Sequence, residues 1–151
     1  MNNNESISAA NLKYGPVLMS LLGGNHPGML TDTEKQNAAN LAKVKSYGEI
    51  EELQPFFQEV YKTFEHDLAE LNKTLPAGKI ERKKAIINKL SLVKESLHQM
   101  PLSKQRQYKK AFVAFARLTS KGERNIIEDN FAAIVEVFLR SKKDKFRKIL
   151  N

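Results

Sequence analysis

Hydrophobic residues recur at helical intervals through the second half of the chain. The clearest run alternates steps of four and three residues, and it comprises Phe57, Tyr61, Phe64, Leu68, Leu71 and Leu75. Because an α-helix has about 3.6 residues per turn, this spacing places all six side chains on one helix face. Pro55 suits the first turn of that helix, and Leu75–Gly78 predicts its end.

Three further runs predict three more long helices. The first comprises Ile86, Leu90, Val93, Leu97 and Met100 and ends at Pro101. The second comprises Tyr108, Ala111, Phe112, Phe115 and Leu118. Ser103 is the predicted N-cap of this helix, and Lys121–Gly122 predicts its end. The third begins near Glu123 and comprises Ile127, Phe131, Ile134 and Phe138. Because the links between the runs are short, successive helices are expected to run antiparallel.

The first third of the chain is less regular. Thr31 and Glu34 have the spacing of a capping box, which predicts a helix to about Gly48 with mostly alanine on its apolar side. Pro16–Leu22 predicts two helical turns, and Gly23–Gly28 predicts a loop. We therefore predict an all-α single domain. It consists of a four-helix up-down bundle over residues 50–141, an N-terminal helical appendage over 1–49 and a basic tail over 142–151.

Composition and charge narrow the chemistry. The chain of 151 residues is 41% hydrophobic and 28% charged, as in an ordinary folded domain. The absence of cysteine excludes disulfides, thiolate metal sites and cysteine nucleophiles. The net charge of +8 is unevenly placed, since residues 1–78 carry −4 and residues 79–151 carry +12. A segment as basic as residues 79–151 attracts nucleic acid, anionic membrane surfaces or acidic proteins. The alternative is that the acidic residues 1–78 pack beside it and neutralise part of its charge.

The beginning of the sequence predicts a cytoplasmic protein. Met1–Glu5 lacks the basic residues of a secretory signal, and the apolar stretch Val17–Leu22 is far shorter than the roughly 20 residues that span a bilayer. We expect no transmembrane segment. Secretion without a cleaved signal remains an open alternative.

Neither metal binding nor catalysis has a convincing signature. Glu95 and His98 match the Glu-x-x-His spacing of di-iron bundles once, but a helical wheel turns both away from the apolar face of their helix. His66 and Glu70 also point away from theirs. No phosphate-binding glycine motif occurs, and His26 lies apart in the glycine-rich loop. We expect no metal, no cofactor and no enzyme activity, with an active site assembled only by the fold as the remaining alternative.

Two groups of residues predict binding instead. A basic stripe falls within about 60° on the helix after Ser103, and two further cations follow in the tail. The stripe and tail cations are Arg106, Lys110, Arg117, Lys121, Lys142 and Lys143. The second group is apolar, because in Phe131–Leu139 only Glu136 is polar. There Val135, Val137 and Leu139 extend the apolar surface beyond the face that a bundle needs.

These groups suggest a function without identifying the partner. The apolar excess must be covered, by Val17–Leu22, by a second copy of the chain or by another protein. The predicted function is that of a non-enzymatic adaptor or regulatory protein, which binds a macromolecular partner through the apolar face and the basic flank. That partner is another protein, acidic or not, or a second copy of the chain. The alternative is a nucleic-acid-binding protein that uses the basic half without sequence specificity.

Overall fold

The structure, a computed structural model, describes residues 11–23 and 29–119 of the chain. These residues form five helices: α1 (Gly15–Gly23), α2 (Asp32–Gly48), α3 (Gln54–Thr74), α4 (Lys79–His98) and α5 (Leu102–Thr119). No strand occurs within these two ranges, so the prediction of an all-α protein is confirmed. The helix predicted from Glu123 lies outside them, and the four-helix up-down topology therefore stays a prediction.

The capping box predicted at the start of α2 is present. The Thr31 hydroxyl accepts a hydrogen bond from the Glu34 backbone N–H at 3.1 Å, and the Glu34 carboxylate accepts one from the Thr31 N–H at 2.9 Å. Further along α2, Ala38 and Ala42 are fully buried. Because alanine is small, it lets α2 approach α3, the helix with which α2 makes its most extensive contact.

The apolar runs of α3 and α4 are buried as predicted, except for Tyr61 and Met100. Met100 follows the end of α4 and is only half-buried. Tyr61 of α3 is 43% exposed, whereas Val60, outside the predicted run, is buried. The buried face of α3 is therefore rotated toward Val60, and Tyr61 lies at its edge, where the Lys43 ammonium is 6.0 Å from the Tyr61 ring. The 4-3 spacing thus predicted the helix correctly, but the centre of the buried face lies closer to Val60 than the spacing predicted.

The short helix α1 lies in the core. Every residue from Gly15 to Gly23 is buried. The helix packs most extensively against α5 and next against α4, and it also contacts α2 and α3. Because Val17–Leu22 is apolar on nearly all sides, it can be buried only if neighbours surround it. The segment predicted as an appendage is thus a central element, and α3 and α4 make few close contacts with each other directly.

Glycine makes the close packing of α1 on α5 possible. A Cβ atom at Gly15 would lie 2.5 Å from a ring carbon of Phe112. One at Gly23 would lie 2.2 Å from the Ala116 carbonyl oxygen. The contact is fixed by a buried hydrogen bond, in which the Thr119 hydroxyl donates to the Ser20 carbonyl at 2.9 Å. This packing buries Ala116 and Thr119, which lie beside the apolar face predicted for α5.

The start of α5 differs slightly from the prediction. Ser103 lies inside the helix, which begins at Leu102, and so it is not the N-cap. The Gln105 N–H donates to the Pro101 carbonyl at 3.0 Å, which places the boundary at Pro101. Among the helices described, none is long and apolar enough to cross a membrane.

Candidate partner-binding surface

The basic stripe lies on the outer face of α5. Arg106, Lys110 and Arg117 are all exposed, on the opposite side of the helix from the fully buried Phe112. At about 100° per residue their side chains fall within about 40° of one another, so the structure brings them together as predicted. The other predicted binding residues lie outside the described ranges: Lys121, Lys142, Lys143, Val135, Val137 and Leu139.

An apolar groove runs beside this stripe. It lies between the C-terminal half of α2 and the length of α5 and has a volume of about 680 Å³. Lys110 and Arg117 of the stripe form part of its lining. Its apolar lining residues are Leu41, Ile50, Leu53, Ala111, Ala114 and Leu118. Apolar side chains next to exposed cations form the kind of surface that a protein partner covers.

The remaining polar residues leave the groove positively charged. On the α2 side, the Lys45 ammonium lies 2.7 Å from the Glu49 carboxylate, and both side chains are largely buried. That pair is close to neutral. Lys110 and Arg117 add two further positive charges at the edge of the groove, and positive charge attracts acidic groups.

A cluster of aromatic rings holds α5 in place behind the stripe. The rings of Phe57 and Phe115 stack with their centroids 6.1 Å apart. Phe56 makes edge contacts with Phe57 and Tyr108 at 5.0 and 5.2 Å. Aromatic pairs of this kind contribute about 0.5–1.5 kcal/mol beyond the area that they bury. The cluster joins α3 to α5 and so fixes which face of α5 the solvent meets.

Tyr108 gives this cluster a testable pH dependence. Burial raises the pKa of the Tyr108 hydroxyl above 10.0, and the negative charge of Glu52 raises that pKa further. The folded protein thus holds this proton more tightly than the unfolded chain. The stabilisation is fully present below about pH 10 and is lost as the pH rises through the folded pKa.

Urea denaturation at about pH 8 and about pH 11 measures this effect. The wild-type protein should lose more stability between the two than Tyr108→Phe, which has no hydroxyl to ionise. Comparing the two proteins cancels the titration of lysines and of the other tyrosines. Equal losses would show that the hydroxyl is not protected in the folded state.

The histidines do not form a site within the described residues. His66 and His98 are both exposed, on α3 and α4 respectively, which agrees with their positions on the helical wheel. No group of three potential metal ligands occurs among the residues that the structure describes. His26 lies outside them. The absence of metal and of catalysis stays an expectation.

Two charged side chains are buried although their burial was not predicted from the sequence. Asp67 of α3 is 2% exposed, and its carboxylate accepts a hydrogen bond from the Thr63 hydroxyl at 2.7 Å. The Lys13 ammonium, just before α1, lies 3.5 Å from the same oxygen. A signal was available, because Asp67 falls about 20° from the buried Val60 on a helical wheel. This ion pair ties the N-terminal segment to α3.

The second buried group is Arg82, at the start of α4. Its guanidinium donates hydrogen bonds to the Asn72 side-chain oxygen and, at 3.3 Å, to the Pro76 carbonyl, and burial lowers its pKa. Arg82 lies four residues before Ile86, so it continues the buried face of α4. Arg82 therefore has a structural role, because its hydrogen bonds join the start of α4 to the end of α3 and to the link between them.

A smaller cavity of about 300 Å³ lies between α1, α3 and α4. Tyr14 and Leu18 line it from the α1 side, and Leu71 and Val93 line it from α3 and α4. None of the predicted binding residues contributes to it. The α2–α5 groove with its stripe is therefore the surface that unites the predicted chemistry with a concave shape.

Comparison of the chain with protein-family models, with curated proteins and with solved structures found no match.

Proposed function

We propose that this protein is a non-enzymatic adaptor or regulatory protein that binds an acidic partner protein through the basic stripe and the apolar surface beside it. The observation that carries the proposal is the position of the stripe. Arg106, Lys110 and Arg117 lie together on an exposed face, and that face borders an apolar groove. Positive charge steers an acidic partner to the surface, and apolar contact then supplies most of the binding free energy.

A protein partner fits this surface better than nucleic acid does. Sequence-independent binding of single strands combines cations with exposed aromatic rings on which bases stack. On α5, Phe112 and Phe115 are buried and Tyr108 is half-buried in the aromatic cluster, so no ring of this helix accompanies the stripe. The residues predicted to complete the contact, Val135, Val137 and Leu139, are apolar and also suit a protein.

The proposal is tested by reversing the charge of the stripe. The triple variant Arg106→Glu, Lys110→Glu and Arg117→Glu should remain folded, because exposed substitutions usually change stability little. After nuclease treatment of a native lysate, the variant should retain at least about tenfold less of the proteins that the wild type captures. Thermal melts establish that the variant is folded.

A matched control changes three exposed cations elsewhere. Lys62→Glu, Lys79→Glu and Lys84→Glu alter the net charge equally but lie on α3 and α4. If the control loses partners as severely as the stripe variant, binding depends on net charge and the stripe is not the site. If nuclease releases the retained material and affinity falls linearly with log salt, the protein binds nucleic acid.

A further inference from the structure

The lining of the α2–α5 groove repeats the apolar spacing of a later part of the chain. Along α5 the groove is lined by Gln107, Ala111, Ala114 and Leu118, at intervals of four, three and four residues. Residues 127–138 carry Ile127, Phe131, Ile134 and Phe138, also at intervals of four, three and four. Two helices with matching intervals can pack along their whole length, because each side chain meets one of the other helix at every level.

We propose that residues 127–138 fill this groove as a helix running antiparallel to α5. In this register Ile127 lies opposite Leu118 and Phe131 opposite Ala114. Ile134 then lies opposite Ala111, and Phe138 opposite Gln107. Phe131 and Ile134 each meet an alanine of α5, and large side chains opposite small ones let facing layers interdigitate.

The length of chain between the two segments agrees with this register. The four pairs are symmetric about Gly122 and Glu123, so the turn between the helices falls there. Helix–helix connections in bundles have about 2–8 residues, and glycine is the residue most favoured just after a helix end. Both segments span 12 residues, or about 17 Å as helices, so the segment covers the groove from end to end.

The absence of cations also suits this occupant. Residues 125–139 contain no lysine or arginine, so the segment would add no positive charge beside Lys110 and Arg117 of the groove lining. In this register Asp129 and Glu136 fall on the face opposite the groove, so neither carboxylate would be buried in it. A second copy would bring the same segment but without the short connection, which raises the effective concentration of the segment at its own groove.

The proposed packing also concerns the partner surface. When Ile127, Phe131, Ile134 and Phe138 face the groove, Val137 falls about 90° to one side of them on the helical wheel. In an antiparallel pair of helices this is the side on which the stripe lies. The basic stripe and part of the predicted apolar excess then form one continuous surface. The inference does not depend on the proposed function, but it changes which apolar residues the partner would meet. With the groove filled by residues 127–138, the partner would contact the stripe and Val137 instead of the groove's own apolar lining.

Engineered disulfides test the register directly, since the chain contains no cysteine of its own. Ala114→Cys with Phe131→Cys places two thiols opposite each other. A disulfide forms there if the Cα atoms come within about 4.4–6.8 Å. In the full-length protein, oxidised in a glutathione buffer, this pair should form an intramolecular disulfide. The fraction oxidised should exceed that of the mismatched pair Gln107→Cys with Ile127→Cys by at least about tenfold.

Two measurements keep the outcome decisive. Circular dichroism of the reduced proteins establishes that they are folded. Ala111→Cys with Ile134→Cys, whose separation along the chain is close to that of the mismatched pair, replaces the first pair if that variant unfolds. A disulfide-linked dimer would show that a second copy supplies the segment, and absence of any disulfide in folded protein would show that the segment does not lie in the groove in this register. Either result overturns the proposal. The assay uses purified protein, so it neither requires nor tests the partner binding proposed above.

Discussion

Phe57→Ala should lower the free energy of unfolding by about 3–5 kcal/mol, the usual cost of removing a buried aromatic ring. Phe57 has no solvent exposure, and its ring contacts those of Phe56, Phe112 and Phe115. The substitution would leave a cavity where α3 meets α5, and the cluster could collapse only partly because its other rings belong to two different helices. Urea denaturation followed by circular dichroism measures the loss.

Tyr61 provides the matched control for this experiment. It lies one turn after Phe57 in the same predicted run, yet it is 43% exposed. Tyr61→Ala should therefore lower the free energy of unfolding by only about 1 kcal/mol, in line with less well buried positions. Equal losses at the two positions would contradict the burial of Phe57 and the exposure of Tyr61.

Gly23→Ala should destabilise the protein by about 1–3 kcal/mol or more, although alanine normally favours a helix. The added Cβ would lie 2.2 Å from the Ala116 carbonyl oxygen and 2.6 Å from the Thr119 hydroxyl oxygen. The first of these is a backbone atom of α5, so the clash cannot be relieved by a rotamer change. Relief requires α1 to move away from α5, which would also break the Thr119–Ser20 hydrogen bond.

Gly48 serves as the control, because it is also the last residue of a helix. A Cβ there would meet only a Val44 methyl group, at 3.8 Å. Gly48→Ala should be neutral or stabilise the protein by up to about 1 kcal/mol, through the reduced entropy of the unfolded chain. Thermal denaturation of both variants separates the two cases. A stabilising Gly23→Ala would contradict the close packing of α1 on α5.

The candidate surface was predictable in part. The basic stripe follows from helical periodicity alone, since Arg106, Lys110 and Arg117 recur at intervals that keep them on one face. The groove beside the stripe could not be predicted from the sequence. Its second side is formed by Leu41 and Lys45 of α2, and no local pattern reveals that a helix some 60 residues earlier lies against α5.

The sequence alone was enough to predict that the protein is all-α, where most of the helices begin and end, and most of the buried positions. These features depend on interactions within about four residues, namely the capping box at Thr31 and Glu34 and the 4-3 spacing of apolar side chains. Only the tertiary structure decided the order of packing. Val17–Leu22 became central because its burial needs neighbours on every side, and Gly15 and Gly23 admit α5 closely enough to provide them. A related reason explains why Tyr61 is exposed although it belongs to the apolar run, and why Asp67 is buried although it is charged. What a helix buries depends on the direction from which its neighbours arrive, and that direction is set by residues far away in the chain.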